Sequence, residues 1–367
     1  MAKKNPTRNL RSVIFDLHQY TAGKSIGEIA HKYNLDPKNI LKLGSNENVL
    51  GSSLKAKIAA TLALEKVNIY PEVVSTELSN KIKKKNKLKN VSVVVGNGMD
   101  QIIEMLSRLF LNNGDETIIS VPTFTPYELT TLWAGGHPRL IPLIKETYQM
   151  DVEKILKAIN KKTKIIFICS PNNPTGNLMD ENDIKKIVES TDKIVFLDEA
   201  YIEFSEKSLV KWVEKYPNLI IGRTFSKIYG LAGYRVGYGF IHHSIEKYYL
   251  NSITPFVVSR PGQAAALAAL DDLDFVNKTL KMNTEGKDFY YQNFRESNIK
   301  FLTTNANFIA VNTFPKKSKL VAEKLLENGI ITRECSSFGH GGEYLLRITI
   351  GSKDQNKKVL HTLREIL

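Results

Sequence analysis

Residues 223–237 read RTFSKIYGLAGYRVG, a stretch in which one lysine, Lys227, stands between small hydroxyl residues and glycines. A lysine amine becomes a nucleophile when it is desolvated or lies near other cations. Thr224 and Ser226 supply hydroxyl donors beside it, and Arg235 supplies a planar group that suits phosphate. This combination predicts a phosphorylated cofactor held by the lysine as a Schiff base, which indicates pyridoxal 5'-phosphate.

The composition is that of a globular protein large enough for two domains. The chain has 367 residues, of which 42% are hydrophobic and 24% are charged. It contains no apolar run of about 18 residues, so we expect no membrane span, and its N-terminus lacks the apolar stretch of a secretory signal. Cys169 and Cys335 match no metal-ligand spacing and are typical of reduced cytosolic thiols. We therefore expect a cytoplasmic protein without a metal site.

The net charge of +13 has two interpretations. Its densest run is K-I-K-K-K-N-K-L-K, from Lys81 to Lys89, which is compatible with nucleic-acid binding. The other lysines are spread over many predicted helices, so we favour a solvated, lysine-rich helix face and expect no nucleic-acid partner. A basic surface would also steer anionic substrates toward a cleft.

Apolar strands alternate with helices from residue 91 to about residue 241. The predicted strands cover residues 91–95, 116–121, 139–143, 164–169, 193–197, 219–222 and 236–241. Such alternation is typical of an α/β fold with a mainly parallel sheet covered on both faces by helices. Beyond residue 244 the chain becomes more helical before short strands return, which indicates a smaller α+β domain. We assign residues 1–45 to an N-terminal arm and part of the small domain, 46–245 to the large cofactor-binding domain, and 246–367 to the small C-terminal domain.

Polar residues follow several of the predicted strands, at the edge where an open parallel sheet binds its ligands. Residues 96–100, GNGMD, lead into a helix whose free backbone N–H groups can bind a phosphate. Residues 170–176, SPNNPTG, contain two prolines that rigidify the segment, so that Asn173 can present a fixed amide. Asp198 ends the next strand and can pair with a protonated pyridine nitrogen, or it can instead cap a helix.

Two tyrosines complete this interpretation. Tyr201 follows Asp198 by three residues and can hydrogen-bond the phenolic oxygen of the cofactor together with Asn173. Tyr127 can stack on the cofactor ring, although a helix residue packed in the core is an equally good interpretation.

These motifs resemble the pyridoxal-phosphate-dependent aminotransferases of fold type I and, over nearly the whole chain, the histidinol-phosphate aminotransferase family. The segments that carry the resemblance are residues 20–24 (YTAGK), 45–48 (SNEN), 70–72 (YPE), 96–100 (GNGMD), 170–176 (SPNNPTG), 198–201 (DEAY), 224–227 (TFSK) and 346–351 (LRITIG). Their recurrence in the right order makes the match to the fold type specific.

The resemblance implies a role for each matching residue at the cofactor. Lys227 would form the covalent bond and then move a proton between the substrate carbon and the cofactor. Asp198 would pair with the ring nitrogen, Asn173 and Tyr201 would hold the ring oxygen, and Tyr127 would stack. The residues implied for the phosphate are Met99 and Asp100 through their backbone, Thr224, Ser226, Arg235, and Tyr70 from a second subunit, so a homodimer is implied.

The resemblance also implies the substrate-binding residues and the reaction. Arg347 would bind the carboxylate of glutamate bidentately, and Arg333 would help to bind the substrate phosphate. Tyr20 and Asn46 would line the same pocket. An amino group would move between glutamate or 2-oxoglutarate and a small phosphorylated compound, first histidinol phosphate and imidazole acetol phosphate of histidine biosynthesis.

Several positions depart from the family pattern and leave alternative substrates open. They are Val49, Met99, Gln101, Val257, Arg260 and the loop of residues 338–343. None of them touches the motifs of Lys227 or Asp198, so the prediction of the cofactor is unaffected. The alternatives are a transaminase for another phosphorylated ketone or an aromatic amino acid, and a decarboxylase of a phosphorylated amino acid.

Overall fold

The computed structural model describes residues 5–17, 23–205 and 207–367 and contains one large sheet and two smaller ones. The strands are β1 (Leu41–Lys42), β2 (Val91–Asn97), β3 (Glu116–Val121), β4 (His137–Pro142), β5 (Thr163–Cys169), β6 (Ile194–Asp198), β7 (Leu219–Thr224), β8 (Val236–His242), β9 (Phe301–Leu302), β10 (Phe308–Asn312), β11 (Ile330–Ile331), β12 (Arg333–Glu334) and β13 (Leu345–Thr349). The α-helices are α1 (Val13–Asp16), α2 (Ile26–Tyr33), α3 (Leu54–Ala63), α4 (Thr76–Lys85), α5 (Gly98–Phe110), α6 (Pro126–Trp133), α7 (Val152–Ala158), α8 (Glu181–Glu189), α9 (His243–Ser252), α10 (Arg260–Ala269), α11 (Leu273–Glu296), α12 (Ser318–Glu327) and α13 (Lys353–Ile366).

The large sheet has seven strands in the order β2-β8-β7-β6-β5-β3-β4. The strands from β7 to β4 are parallel, whereas β8 is antiparallel to both of its neighbours. The central strands β6 and β7 are buried along nearly their whole length, as expected where helices cover both faces of a sheet, and their polar residues lie at their carboxyl ends. The predicted α/β fold with a mainly parallel sheet is confirmed.

The smaller sheets belong to a second hydrophobic core. Strands β12, β13, β10 and β9 form an antiparallel sheet, and β1 pairs in parallel with β11. Their core includes Tyr290 and Phe294 from the long helix α11, packed with residues of α12, α13 and the strands. Leu41 and Leu43 of the N-terminal segment pack in this core, and β1 pairs with β11 beside it.

The division of the chain between the two cores stays a prediction. The core of the large sheet takes in Ala265, Ala266 and Ala269 from α10, which packs on α3. This packing indicates that α9 and α10 accompany the large sheet, beyond the boundary that we placed at residue 245.

Local signals explain where several helices begin. The hydroxyl of Ser25 accepts a hydrogen bond from the backbone N–H of Glu28, at 3.2 Å, and so caps α2 as its sequence suggests. Helix α4 carries much of the Lys81 to Lys89 run, as we expected from its lysine-rich pattern. In the described part of the chain, no helix is long and apolar enough to cross a membrane.

Candidate active site

A cavity of about 220 Å³ lies at the carboxyl ends of β5, β6 and β7, where the loops of both cores meet. The predicted site residues that line it are Asn46, Met99, Asp100, Asn173, Asp198, Tyr201, Thr224, Ser226, Lys227, Arg235, Arg333 and Arg347. Residues far apart in the chain converge here because parallel strands end at one edge of the sheet.

One end of the cavity is shaped to hold an anion. Helix α5 begins at Gly98, directly after β2, and its first backbone N–H groups have no side-chain cap from Asn97. Gly98 has a φ of +77°, and a Cβ at this position would overlap the guanidinium of Arg235. Arg235 also pairs with Asp100 at 3.1 Å. A cation, a helix N-terminus and a glycine thus share one small space, which suits a phosphate.

Two hydroxyls complete this end of the cavity. Thr224 Oγ1 donates to Ser226 Oγ at 2.9 Å, and the backbone N–H of Ser226 donates to Thr224 Oγ1 at 3.1 Å. Both residues are buried at the end of β7, so their hydroxyls are held in one arrangement. Because Ser226 Oγ accepts the hydrogen bond from Thr224, the Ser226 hydroxyl can donate its own hydrogen to a phosphate.

Lys227 follows these hydroxyls and points its amine into the cavity. Its Nζ donates to the carbonyl of Ser45 at 3.1 Å. The loop after it is fixed because Asn48 donates to the carbonyl of Ile228 at 3.0 Å. Burial, followed by the charge of Arg347, lowers the pKa of Lys227 to about 8. Roughly a tenth of this amine is therefore uncharged at pH 7, and that form is nucleophilic.

Asp198 lies at the end of β6 on the cavity floor. Its Oδ1 accepts a hydrogen bond from the backbone N–H of Ala200 at 2.8 Å, and its Oδ2 accepts one from the hydroxyl of Tyr127 at 2.6 Å. Burial raises the pKa of Asp198 to about 6. A carboxylate in this position would gain from a cationic partner, such as a protonated ring nitrogen.

The prediction that Tyr127 stacks on the cofactor does not fit the structure. Tyr127 is fully buried beneath the cavity, where its ring stacks on Phe167 with centroids 4.9 Å apart and planes 9° apart. Helix α6 turns this side chain toward the sheet, and Phe124, three residues earlier in the chain, lines the cavity instead. The signal for Phe124 was present in the sequence, because it lies between Pro122 and Pro126 in a loop after β3, where ligand-binding residues are expected.

The two predicted substrate arginines are buried side by side. Arg333 on β12 and Arg347 on β13 are register partners in the antiparallel sheet. Arg347 donates to the amide oxygen of Asn173 and, at 2.6 Å, to the carbonyl of Gly44. The guanidinium groups of both arginines lie over the ring of Phe338, at 5.2 and 5.5 Å. This end of the cavity therefore presents two oriented cations.

Asn46 and Tyr201 join the wall between the two ends. Asn46 is buried, and its Nδ2 donates to the hydroxyl of Tyr201 at 2.9 Å. Its backbone is held in turn by Thr349 and Asn307, through hydrogen bonds of 3.0 and 2.9 Å. Burial raises the pKa of Tyr201, so its hydroxyl stays protonated and can act as a donor.

Two predicted site residues are not part of this cavity. Tyr70 is 75% exposed at the surface, where its ring stacks on Phe256 at 4.5 Å and its carbonyl accepts a hydrogen bond of 2.6 Å from Arg260. It does not line the cavity of its own chain, and its role toward a second subunit stays a prediction. Tyr20 lies outside the described residues.

The cavity also has lining residues to which the sequence assigned no role at the cofactor or substrate. They are Gly23, Gly44, Ser45, Phe124, Cys169, Ala200 and Phe338. Cys169 is the register partner of Asp198 across β5 and β6, and burial raises the pKa of its thiol, so it is an inert neighbour of the carboxylate. Within the described residues, no group of three or more histidine, cysteine or acidic side chains could hold a metal ion.

The arrangement fits pyridoxal phosphate in the size of the cavity, the charges that line it and the sequence of groups from one end to the other. A phosphate cradle stands at one end, a partly uncharged amine in the middle, and a buried carboxylate on the floor. Phe124 provides an aromatic wall, and the paired arginines leave room for an anionic substrate opposite the cradle. The absence of a Cβ at Gly98 keeps the cradle open.

Comparison with known proteins agrees with this chemistry. The sequence profile of the family "Aminotransferase class I and II" matches residues 38–363. A histidinol-phosphate aminotransferase from Methanosarcina mazei is 44% identical over 352 residues, which cover 96% of this chain and 95% of that protein. One from Methanococcus maripaludis is 39% identical over 366 residues, 98% of each chain.

Solved structures show the same fold. The histidinol-phosphate aminotransferase from Clostridium acetobutylicum superposes with a TM-score of 0.83 at 25% identity and covers 89% of this chain and 99% of its own. The enzyme of that name from Sinorhizobium meliloti, in complex with pyridoxal-5'-phosphate, has a TM-score of 0.87 at 21% identity and covers 98% and 97%. The chain thus belongs to the class I and II aminotransferases and, within this group of pyridoxal-phosphate-dependent enzymes, to the histidinol-phosphate aminotransferase family.

Proposed function

We propose that this aminotransferase moves an amino group between glutamate or 2-oxoglutarate and histidinol phosphate or imidazole acetol phosphate, a step of histidine biosynthesis. The observation that carries the proposal is the 44% identity to the Methanosarcina mazei histidinol-phosphate aminotransferase over nearly the whole of both chains. The buried pair Arg333 and Arg347 supports it, because each substrate must bring an anionic group to the cavity.

The proposed role of Lys227 follows from its position and its lowered pKa. Pyridoxal phosphate, when bound, supplies an aldehyde that condenses with amines and a ring that withdraws electrons from the substrate carbon. Lys227 would hold this group covalently through its uncharged Nζ. When not bonded to the cofactor, the same Nζ would move a proton between the substrate carbon and the cofactor.

The remaining cofactor residues bind and orient. Asp198 holds the ring nitrogen in its protonated form. Because the oxygen of the Asn173 amide accepts from Arg347, this side chain presents its Nδ2 donor to the ring oxygen, together with the hydroxyl of Tyr201. Phe124 takes the stacking position that we had predicted for Tyr127. The phosphate is assigned to Thr224, Ser226, Arg235 and the backbone of Met99 and Asp100.

The substrate groups are divided between the two arginines. Arg347 binds the carboxylate of glutamate, since its guanidinium is already oriented by Asn173 and Gly44. Arg333 adds charge for the phosphate of the second substrate. Asn46 lines the space between them, and Tyr20 is proposed to do so as well.

The experiment that tests this function uses the two half-reactions separately. Glutamate alone should convert the bound cofactor to its amine form, which is followed as a loss of the absorbance of the covalently bound cofactor. The loaded enzyme is then offered imidazole acetol phosphate, another phosphorylated ketone and an aromatic keto acid. Rapid return of the absorbance with imidazole acetol phosphate alone is expected. Failure to react with glutamate, together with release of carbon dioxide from a phosphorylated amino acid, would instead identify a decarboxylase.

We further propose a homodimer in which Tyr70 reaches the phosphate of the partner's cofactor. The phosphate end is half-open in one chain, since the side chains of Arg235 and Asp100 are 44% and 57% exposed. An exposed apolar surface surrounds Tyr70 and offers the interface; its residues are Leu54, Ile58, Leu62, Leu64, Val67, Ile69, Val73 and Phe256. A second copy of the chain would cover this surface and close the site.

Hybrid dimers test whether the site is shared. One subunit carries Lys227→Ala and the other carries Tyr70→Phe, so each parent dimer is impaired. If Tyr70 acts across the interface, the hybrid contains one site with both residues intact and should recover roughly half of the wild-type activity. Hybrids no more active than the Tyr70→Phe parent would show that Tyr70 serves its own chain.

We also propose that the enzyme works in the cytoplasm. Cys169 and Cys335 are both buried free thiols, which suits a reducing compartment. Cell fractionation with an antibody against the chain tests the assignment, and recovery in a secreted fraction would contradict it.

A further inference from the structure

The carboxylate of Asp198 is contacted from below by a residue that never reaches the cavity. Tyr127 is fully buried, and its hydroxyl donates to Asp198 Oδ2 at 2.6 Å. Its ring is fixed between Phe167, on which it stacks, and Phe196, which meets it edge to face at 6.5 Å. The hydroxyl therefore has one position, and that position is on the carboxylate.

The backbone of Tyr127 is held as firmly as its ring. Its carbonyl accepts from Thr131 Oγ1 at 2.8 Å, and Thr131 in turn is hydrogen-bonded to Thr117 of β3 at 3.0 Å. Helix α6 is thus anchored to the sheet where Tyr127 meets Asp198. Removing the hydroxyl alone would leave the ring, the helix and the sheet in place.

We propose that Tyr127 is a positioning residue that keeps Asp198 ionised and aimed at the cofactor's ring nitrogen. This inference rests on the proposed role of Asp198. Two neutral donors, the hydroxyl of Tyr127 and the N–H of Ala200, hold one carboxylate oxygen each and so set the plane of the group. A carboxylate fixed in this way loses no freedom when the cofactor binds.

The hydroxyl also opposes the effect of burial on the charge of Asp198. Burial raises the pKa of Asp198, and the hydrogen bond from Tyr127 is the largest influence that lowers it. The other titratable groups that face Asp198 are Cys169 on β5, Asp100 at the start of α5, and Glu199 and Tyr201 next to it in the chain. The charges of Asp100 and Glu199 raise the pKa of Asp198 further, so they act in the opposite direction to the Tyr127 hydroxyl.

The test is Tyr127→Phe, measured as binding of pyridoxal phosphate to the apoprotein across pH 5 to 8.5 by fluorescence. At low pH the affinity for the cofactor should fall as Asp198 becomes protonated; we call this fall the acid limb. Loss of the donor should move the acid limb upward by roughly one pH unit, because the pKa of a carboxylate that accepts two or three such bonds lies about two units below its ordinary value. Tyr290→Phe is the matched control, since Tyr290 is equally buried but its hydroxyl has no hydrogen-bond partner among the described residues. It should leave the acid limb unchanged.

A second measurement separates this role from simple packing. Unfolding of the apoprotein is followed against pH for Tyr127→Phe, Asp198→Asn and the double variant. If Tyr127 acts through Asp198, its effect on the pH dependence should vanish in the Asp198→Asn background. The inference would be overturned if Tyr127→Phe left the acid limb of cofactor affinity unchanged. It would also be overturned if Tyr127→Phe changed the pH dependence of unfolding equally in the wild-type and Asp198→Asn backgrounds. Either result would leave the proposed function intact. Apoprotein that binds no pyridoxal phosphate at any pH would overturn both.

Discussion

At the scale of single residues, the site contains an amine and a carboxylate whose pKa values move toward each other. Burial disfavours the charged form of each group, so the pKa of Lys227 falls to about 8 and that of Asp198 rises to about 6. Both groups are thereby prepared for a ligand that restores favourable interactions. Until the cofactor binds, the burial of these two groups lowers the free energy of unfolding.

Replacing Lys227 by methionine should stabilise the apoprotein at neutral pH. The pKa of Lys227 is about 8 in the folded state and 10.5 in the unfolded state. Below pH 8 the buried charged amine therefore destabilises the folded protein by its full amount. Between these values the unfolded chain binds the extra proton, so the penalty disappears as the pH rises. Lys227→Met should therefore unfold at a higher temperature than the wild type at pH 7, with a difference that shrinks toward pH 10.5.

Calorimetry at pH 7 and pH 10 measures this difference, with Lys278→Met, an exposed lysine on α11, as the control. A stability difference that stays constant between the two pH values would refute the buried charge. The same Lys227→Met protein should form no borohydride-stable adduct with the cofactor.

Arg333→Ala should discriminate between the two substrates. Loss of a charged donor weakens binding of the substrate phosphate, and we expect KM for the phosphorylated substrate to rise roughly 10- to 100-fold. The half-reaction with glutamate should change much less, because Arg347 is assigned to its carboxylate. Steady-state kinetics with both substrates give the comparison. Arg139→Ala, outside the cavity, is the control, and equal losses for the two substrates would remove the proposed role of Arg333.

At the scale of elements, the turn from β2 to α5 and the pairing of β12 with β13 shape the two ends of the cavity. The turn needs Gly98 because its backbone has a positive φ and because Arg235 occupies the space of a side chain. The antiparallel register sets Arg333 opposite Arg347. Each element thus delivers an anion-binding group without the help of the other.

Gly98→Ala should damage cofactor binding more than it damages stability. Both Gly98 and Gly114 have a positive φ, +77° and +84°, but a Cβ at Gly114 would meet open space. Each substitution should therefore lose about 1 kcal/mol from backbone strain. Only Gly98→Ala should also displace Arg235 and lower the affinity for pyridoxal phosphate.

Titration of the apoprotein with the cofactor, alongside urea unfolding, separates the two effects. Gly114→Ala and Gly98→Ala proteins with the same cofactor affinity would show that the cradle tolerates the extra carbon.

At the scale of the whole molecule, the exposed apolar surface around Tyr70 has no evident role in a single chain. Leu54, Ile58 and Leu62 recur at intervals of four along α3 and so form one exposed stripe of the helix. Covering this stripe by a second copy would remove apolar area from water and close the phosphate end of each site.

Leu62→Glu should therefore dissociate the proposed dimer. Burying a carboxylate in an apolar interface is strongly unfavourable, so sedimentation should show monomers with greatly reduced turnover. Leu320→Glu is a close control because Leu320 is also 62% exposed but lies on α12, away from this surface. A Leu62→Glu protein that remains an active dimer would place the interface elsewhere.

The sequence by itself determined the fold class, the cofactor and most of the predicted residues that line the cavity. Apolar strands alternating with helices require a covered parallel sheet, and the ends of such strands converge. Lys227, Asp198 and Asn173 each follow a strand, so their meeting could be inferred from local order alone. The shared motifs then indicated the family.

Only the tertiary structure decided which aromatic residue faces the cavity and which supports it. Periodicity identifies the residues that share a helix face, but the rotation of α6 on the sheet depends on packing with distant strands. That rotation brings the hydroxyl of Tyr127 to Asp198, and the loop between β3 and α6 places Phe124 in the cavity. The adjacency of Arg333 and Arg347 likewise depends on the register of β12 with β13, which is set by contacts across the sheet and by no local pattern.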